Sequence, residues 1–396
     1  MKKYISLVLA AVILICSLSF LAGCADGSVL YSISPSAEDT KVVGTVGDSD
    51  ILYDELRFIT LNYRYIMEEA YGDEIWENPD TAEQYREELE KSVLAALTVN
   101  IAALKTAEKH GIKTVDKSVK DFVTVRLNSL ASELADAFND IDNPTDNNVN
   151  TAYEKYLKEN FLTDRYNRYT LSIDGCVEQL KQKLIADGTL VSDDATVTKY
   201  INENFVRTYH VFVPSSETKA KETAELLAWI MNTDLSNGDN TDELESRMIS
   251  LIENVGSMTN EEYLNKLDRI NKLINRLVNA KSKSAKMTVL IGSAYNKDTS
   301  ISVNGYYFSR GEFDESYENA AYSLDIGDIS GVVTTDDGYY VIQRLELDEG
   351  YVFANLDTLK GQYQAAYINN MIEQTRASMT FEFNEYGASL DLTKIK

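Results

Sequence analysis

A chain of 396 residues with 44% hydrophobic residues, 26% charged residues and four prolines has ordinary globular composition. It has room for two or three domains and is neither disordered nor collagen-like. The net charge of −25 repels phosphate and argues against nucleic acid as a partner. Three Cys and two His exclude a disulfide scaffold and a zinc site of the usual Cys/His kind, and neither a metal nor an organic cofactor is expected.

The N-terminus reads Met1-Lys2-Lys3-Tyr4, then an apolar run from Ile5 to Phe20, then Leu21-Ala22-Gly23-Cys24. A short basic region followed by a brief apolar stretch is a secretory signal. The run is slightly short for a spanning helix, which needs about 20 apolar residues. Leu-Ala-Gly-Cys at its end resembles a bacterial lipobox, which implies cleavage of residues 1–23 and a diacylglycerol on Cys24. Two acyl chains make a stable anchor where one is marginal. The expected location is therefore the extracytoplasmic face of the cell membrane. Cleavage removes two lysines and no acids, taking the net charge from −25 to −27. The small, polar residues 24–40 suit a tether. The remaining thiol, Cys176, has no His near it in sequence and is expected to be a buried structural residue.

Val42 to Asp48 reads as a short strand and turn, and Tyr53 opens a helix to about Tyr71. A second helix follows Asn78-Pro79, with Asp80 or Thr81 as cap and Glu83 and Gln84 placed to close a capping box. Its stripe is Tyr85, Leu89, Val93, Leu97, Ile101 and Leu104, and it ends at Lys109-His110-Gly111. His110 there offsets the helix dipole. Asp116 opens a third helix, broken by the polar segment Asn139 to Asn150. Further helices are expected at about Thr151 to Arg168, Ser172 to Ala186 and Asp193 to Asn204, so residues 41–205 form a mainly helical domain.

The pattern changes at Val206, where Val206 to Val213 is β-branched and aromatic, a strand by composition. Ser215 or Ser216 is placed to cap the helix that follows. A helical insertion runs from about 240 to 286, with a capping box at Thr259 to Glu262 and a stripe of Leu264, Leu267, Ile270, Ile274 and Leu277. From Lys266 to Lys286 it carries seven basic residues and one acid, against the trend of the chain. That is either a solvated helix face or a contact with anionic lipid or with the acidic body of the protein. A helix from Glu312 to Leu324 and a closing strand from Gly338 to Leu345 complete a small α/β domain over 206–346. Residues 347–396 begin with a helix striped by Leu356, Leu359, Tyr363, Tyr367 and Met371, followed by polar residues.

The segment Arg207 to Leu345 resembles the parvulin family of peptidyl-prolyl cis–trans isomerases. The resemblance rests on Tyr209-His210-Val211-Phe212-Val213, on Asn304 to Gly311 with its Phe308-Ser309-Arg310-Gly311, on Phe313 to Leu324 with the turn to Ser330, and on Thr335-Asp336-Asp337-Gly338-Tyr339-Tyr340-Val341-Ile342. The segment Val42 to Asn204, together with the C-terminal helix, resembles the helical chaperone domain of SurA-like and PrsA-like foldases, out of which the parvulin domain is looped. The implied fold is α+β, a mainly helical chaperone domain with an inserted small α/β domain. The implied partners are unfolded or partly folded secreted polypeptides, with a homodimer as a further possibility.

The resemblance implies a site of His210, Thr335 and Tyr340, with Phe212, Phe313, Tyr317 and Tyr307 as substrate-binding residues. His210 matches the family's first-strand histidine and Thr335 its hydroxyl residue. Two positions depart from the pattern. The second histidine is Tyr340, and the Asp/Cys position falls at Val303, or at Ser302 if the gap is placed differently. Tyr340 supplies a hydroxyl but cannot tautomerise as imidazole does. Two functions follow: an anchored foldase with isomerase activity, or a non-catalytic holdase or scaffold with a degenerate site. A transporter's solute-binding lipoprotein fits less well, because the first half is helical and there is no two-lobed α/β pattern.

Overall fold

The structure, a computed structural model, describes residues 30–136, 145–302 and 304–396. Cys24, the apolar run and Val303 lie outside the described residues. The chain divides into two units: residues 30–192 with 360–396, and Asp193–Leu359. The second leaves and rejoins the first along the chain, and the fold class is α+β as expected.

In the helical unit, β1 (Val42–Val46) and β2 (Ser49–Leu52) pair antiparallel across the two-residue loop Gly47-Asp48, with Gly47 at a φ of 61°. Helix α1 (Tyr53–Tyr71) follows directly. Helix α2 (Ala82–Lys109) has Thr81 as its N-cap residue without a side-chain cap bond, so the expected capping box does not form. The next helix is α3 (Lys117–Asp136). Helix α4 (Asp146–Glu159) starts earlier than its sequence suggests, because Thr145 and Asn148 form a capping box. It also stops earlier, at the left-handed Phe161, and Thr163 then caps α5 (Asp164–Ala186) by accepting from the Tyr166 N–H. The expected break near residue 170 is therefore eight to ten residues upstream, where a hydroxyl side chain can close the new helix.

Among the described residues, three apolar clusters hold this unit. Val43, Val46 and Ile51 pack on Leu56, Leu89, Val93 and Leu97. Ala102, Ala107, Val119, Cys176 and Leu180 pack with Ile368 and Ile372. Leu127, Val149, Tyr153 and Leu157 pack with Leu30. Residues 30–33, read from composition as tether, are thus docked. Leu30 is 3% exposed, the Tyr31 N–H donates to Asn150 Oδ1 at 2.7 Å, and the Ile33 N–H donates to Asp164 Oδ2 at 3.1 Å.

The second unit begins with α6 (Asp194–Asn204), capped by Asp193, and β3 (Val206–Pro214). Helix α7 (Ala220–Asn232) starts after the left-handed Lys219 with no side-chain cap, so neither Ser215 nor Ser216 closes it. Helices α8 (Gly238–Ser250), α9 (Asn260–Asn279) and α10 (Lys283–Ile291) follow, α9 with its expected capping box at Thr259 and Glu262. Then come β4 (Tyr306–Phe308), α11 (Glu315–Ser323), β5 (Val333–Thr334), β6 (Gly338–Leu345) and α12 (Glu349–Ala354). The sheet order is β4-β3-β6-β5, every pair antiparallel.

Strand alternation sorts the side chains of β3 onto two faces. Val211 and Val213 join Leu227, Ile230, Leu244, Met248, Ile274 and Leu277, so the Ile270, Ile274 and Leu277 part of the expected stripe enters this core, while Leu264 at its start stays exposed. Lys266, Arg269 and Arg276 of α9 stay exposed. Val206 joins Phe308, Tyr317, Ala321 and Ile342 on the other face, under α11.

Helix α13 (Leu356–Arg376) leads back. The tail beyond it is structured rather than merely polar. Strand β7 (Phe381–Phe383) pairs with β1, the short helix α14 (Glu385–Ala388) follows, and Ile395 is buried in the first cluster. Among the described residues, no helix is long and apolar enough to cross a membrane.

Candidate functional site: a histidine between a carboxylate and two hydroxyls

His210 lies mid-strand in β3, paired with Ile342 of β6, and is 3% exposed. A buried imidazole needs partners at both nitrogens. Here Nε2 lies 2.9 Å from Asp298 Oδ2 and Nδ1 lies 2.9 Å from Tyr317 Oη. The Tyr317 hydroxyl is in turn 2.8 Å from Thr208 Oγ1, two residues along β3 on the same face. Tyr317 is 1% exposed, and burial holds its phenol well above the ordinary value of 10.

Asp298 is the acid that sequence reasoning missed. The sequence expectation for the family's Asp/Cys position is Val303, or Ser302 if the gap is placed differently. Ser302 instead closes a turn, its hydroxyl donating to the Gly305 carbonyl at 3.2 Å. The signal that could have found Asp298 is the run Asn296-Lys297-Asp298-Thr299-Ser300. Asn296 Oδ1 accepts the Phe212 N–H at 3.0 Å, its Nδ2 donates to the Asp298 carbonyl at 2.7 Å, and the Lys297 N–H donates to the Phe212 carbonyl at 2.9 Å. This clamp fixes the loop beside β3.

Asp298 is saturated with donors. Oδ2 accepts from His210 and from the Tyr306 hydroxyl at 2.7 Å, and Oδ1 accepts from the Ser300 N–H at 2.8 Å and the Ser300 hydroxyl at 2.6 Å. The hydrogen bond from His210, then those from Ser300 and Tyr306, hold its carboxyl well below the ordinary 3.8.

Aromatic rings surround the imidazole. Tyr306 stacks on it at 5.1 Å and 7°, and Tyr340 meets it edge-on at 5.1 Å and 88°. Phe212 stacks on Tyr340 at 4.6 Å, and Phe313 stacks on Tyr317 at 5.0 Å. Phe212, Tyr306, Phe313 and Tyr340 are only half-buried, so their rings border solvent. Burial pushes the Tyr340 phenol up to about 12. Close backbone approach sets the strand spacing at Gly305, where φ is 73° and a Cβ would lie 2.5 Å from the Thr208 carbonyl oxygen.

Of the residues expected in the site, the fold brings together His210, Tyr340, Phe212, Phe313 and Tyr317. The other two make their hydrogen bonds elsewhere. The Thr335 hydroxyl donates to the Gly338 carbonyl at 3.2 Å, inside its own turn. Tyr307 points to the opposite side of β4 from Tyr306, where it stacks on Tyr351 at 3.9 Å and its hydroxyl accepts the Asp348 N–H. The hydroxyl that bonds the imidazole is that of Tyr317, with Thr208 behind it.

Comparisons with known proteins place both parts of the chain. Residues 1–156 match the SurA-like N-terminal domain, and residues 252–346 match the PPIC-type peptidyl-prolyl isomerase domain. Foldase protein PrsA 1 of Listeria monocytogenes is 29% identical over 119 residues, which is 29% of this chain and 40% of that protein. Peptidyl-prolyl cis-trans isomerase ssp-1 of Neurospora crassa is 48% identical over 40 residues, 10% of this chain and 22% of that protein. The crystal structure of PrsA from Bacillus subtilis aligns with 86% of this chain and 91% of its own, at 16% identity and a TM-score of 0.21. Two stretches of the chain are thus similar to a SurA-like N-terminal domain and to a PPIC-type peptidyl-prolyl isomerase domain, and 119 residues of it are similar to a PrsA foldase of which the chain spans 40% of the length.

Proposed function

We propose that this protein is an exported foldase, anchored by lipid at Cys24, that binds unfolded secreted chains and accelerates X-Pro isomerisation at the His210 site. The observation that supports the catalytic part is His210 held at both nitrogens beneath half-buried Phe212, Tyr306, Phe313 and Tyr340. Rotation about an X-Pro bond crosses a barrier of about 18–20 kcal/mol with no covalent step. Catalysis therefore needs an apolar seat for the proline ring and polar groups that favour the twisted amide over the planar one. The aromatic rim supplies the first and the His210 network the second.

The anchor has a mechanical consequence. Five residues, Ala25 to Val29, separate Cys24 from the docked Leu30, a reach of at most about 22 Å over six Cα–Cα steps. A lipid on Cys24 would hold the helical unit close to the bilayer.

Proline-limited refolding tests the reading. The full chain is expected to accelerate the slow phase and His210→Ala to abolish that acceleration, while suppression of client aggregation persists. The second reading, a scaffold without catalysis, is favoured by Tyr340 standing where the family has its second histidine. It requires aggregation suppression with no acceleration by the wild-type chain.

A further inference from the structure

We infer that Tyr317 is a positioning residue whose hydroxyl, backed by Thr208, locks His210 as the neutral Nε2–H tautomer, on the side where the family pattern would rely on a second ring. As a statement about activity this rests on the isomerase reading above. As a statement about hydrogen bonding it stands on geometry alone.

The argument starts at Asp298. A carboxylate only accepts. Its carboxyl is held ionised by four donors, so the proton in the 2.9 Å contact sits on His210 Nε2. In the neutral ring Nδ1 is then a lone pair. It is buried and cannot turn to solvent, and it meets the Tyr317 hydroxyl at 2.9 Å, which must donate. Having donated, the Tyr317 oxygen has room to accept, and Thr208 Oγ1 at 2.8 Å supplies that proton. The chain of donation runs in one direction: Thr208 to Tyr317, Tyr317 to His210, His210 to Asp298.

Tyr340 does not fill this role. Its contacts with the imidazole and with Tyr317 are ring-to-ring, edge-on at 5.1 and 5.2 Å. Tyr317 is also too buried, at 1% exposure, for its hydroxyl to meet a bound proline. It therefore acts through His210, and its loss should lower kcat and leave KM in place.

Having only two histidines makes the test direct. The full chain, labelled with 15N-histidine, gives two imidazoles, and His110→Gln assigns them. At pH 7.5 His210 is expected to show a protonated Nε2 and a hydrogen-bonded, unprotonated Nδ1. Tyr317→Phe keeps the ring and its packing. It should move the Nδ1 resonance to that of an unbonded lone pair and cut kcat about tenfold, the rate equivalent of one buried hydrogen bond. Thr208→Val should move it partway. A protonated Nδ1 in the wild type, or an Nδ1 resonance and kcat unchanged in Tyr317→Phe, would overturn the assignment. A wild-type chain without isomerase activity would sink the functional reading instead, and the spectrum would still decide the hydrogen bond.

Discussion

His210 and Asp298, 88 residues apart in the chain, meet at 2.9 Å between Nε2 and Oδ2. All of α7, α8, α9 and α10 lies between them, so the pair exists only because those helices fold against the far face of the sheet and return the chain beside β3. Asp298 then organises Ser300, Tyr306 and His210 around one carboxylate.

Removing that carboxylate strips four donors of their acceptor. Asp298→Ala is expected to lower stability by about 1–3 kcal/mol and the isomerase rate by about tenfold or more. The depressed carboxyl makes the loss pH-dependent. Its stabilisation is present above the ordinary 3.8 and disappears as pH falls through the lower folded value. Urea titrations of both proteins at pH 7 and below pH 4 should therefore show the gap narrowing in acid. A constant gap would count against the carboxylate as its source.

Tyr340 contacts its neighbours through its ring, stacked on Phe212 and edge-on to His210. Tyr340→Phe should leave the isomerase rate within about twofold and Tyr340→Ala should cost about 1–3 kcal/mol of stability, below the scale of a fully buried aromatic truncation because the ring is half-buried. Peptide isomerisation assays and thermal melts on the two variants separate ring from hydroxyl. A large loss in Tyr340→Phe would restore the hydroxyl to the mechanism.

The helical unit carries its own titrating group. Glu55 is 3% exposed beside Asp54, and Arg165 bonds both, reaching Glu55 Oε1 at 3.0 Å. Burial outweighs the Arg165 charge, which Asp54 shares, and pushes the Glu55 carboxyl up from 4.5 to about 7. Between those values the folded state keeps a proton that the unfolded state has released. Stability then falls as pH rises from 4.5 to 7 and levels off above. Glu55→Gln should be more stable than wild type by about 2–3 kcal/mol at pH 8, with the difference shrinking toward pH 5. Denaturant midpoints at the two pH values check the sign.

The C-terminal return depends on close backbone approach. A Cβ on Gly44 would lie 2.5 Å from the Glu382 carbonyl oxygen and 2.7 Å from the Phe381 ring. Gly44→Ala should force β7 away from β1 and destabilise the helical unit by about 1–3 kcal/mol. Hydrogen exchange should show faster loss of protection at the β1–β7 amides than at α5. Equal protection in both proteins would mean that the pairing tolerates the methyl group.

Periodicity made much of the architecture legible. The stripes of α2 and α9, the capping box at Thr259 and the β-branched run of β3 are local, because each element's own residues carry its apolar face or cap. His210 and its aromatic neighbours Phe313, Tyr317 and Tyr340 were legible through the parvulin resemblance. Only the tertiary structure decided which acid and which hydroxyl meet that imidazole. Asp298 is set by a loop clamped to β3 through Asn296, and Tyr317 by the seating of α11 on the sheet. Both are distances across elements, and an alignment gap of a few residues hides them. The docking of Leu30 and the pairing of β7 were invisible for the same reason, since a short polar segment acquires structure only from what it packs against.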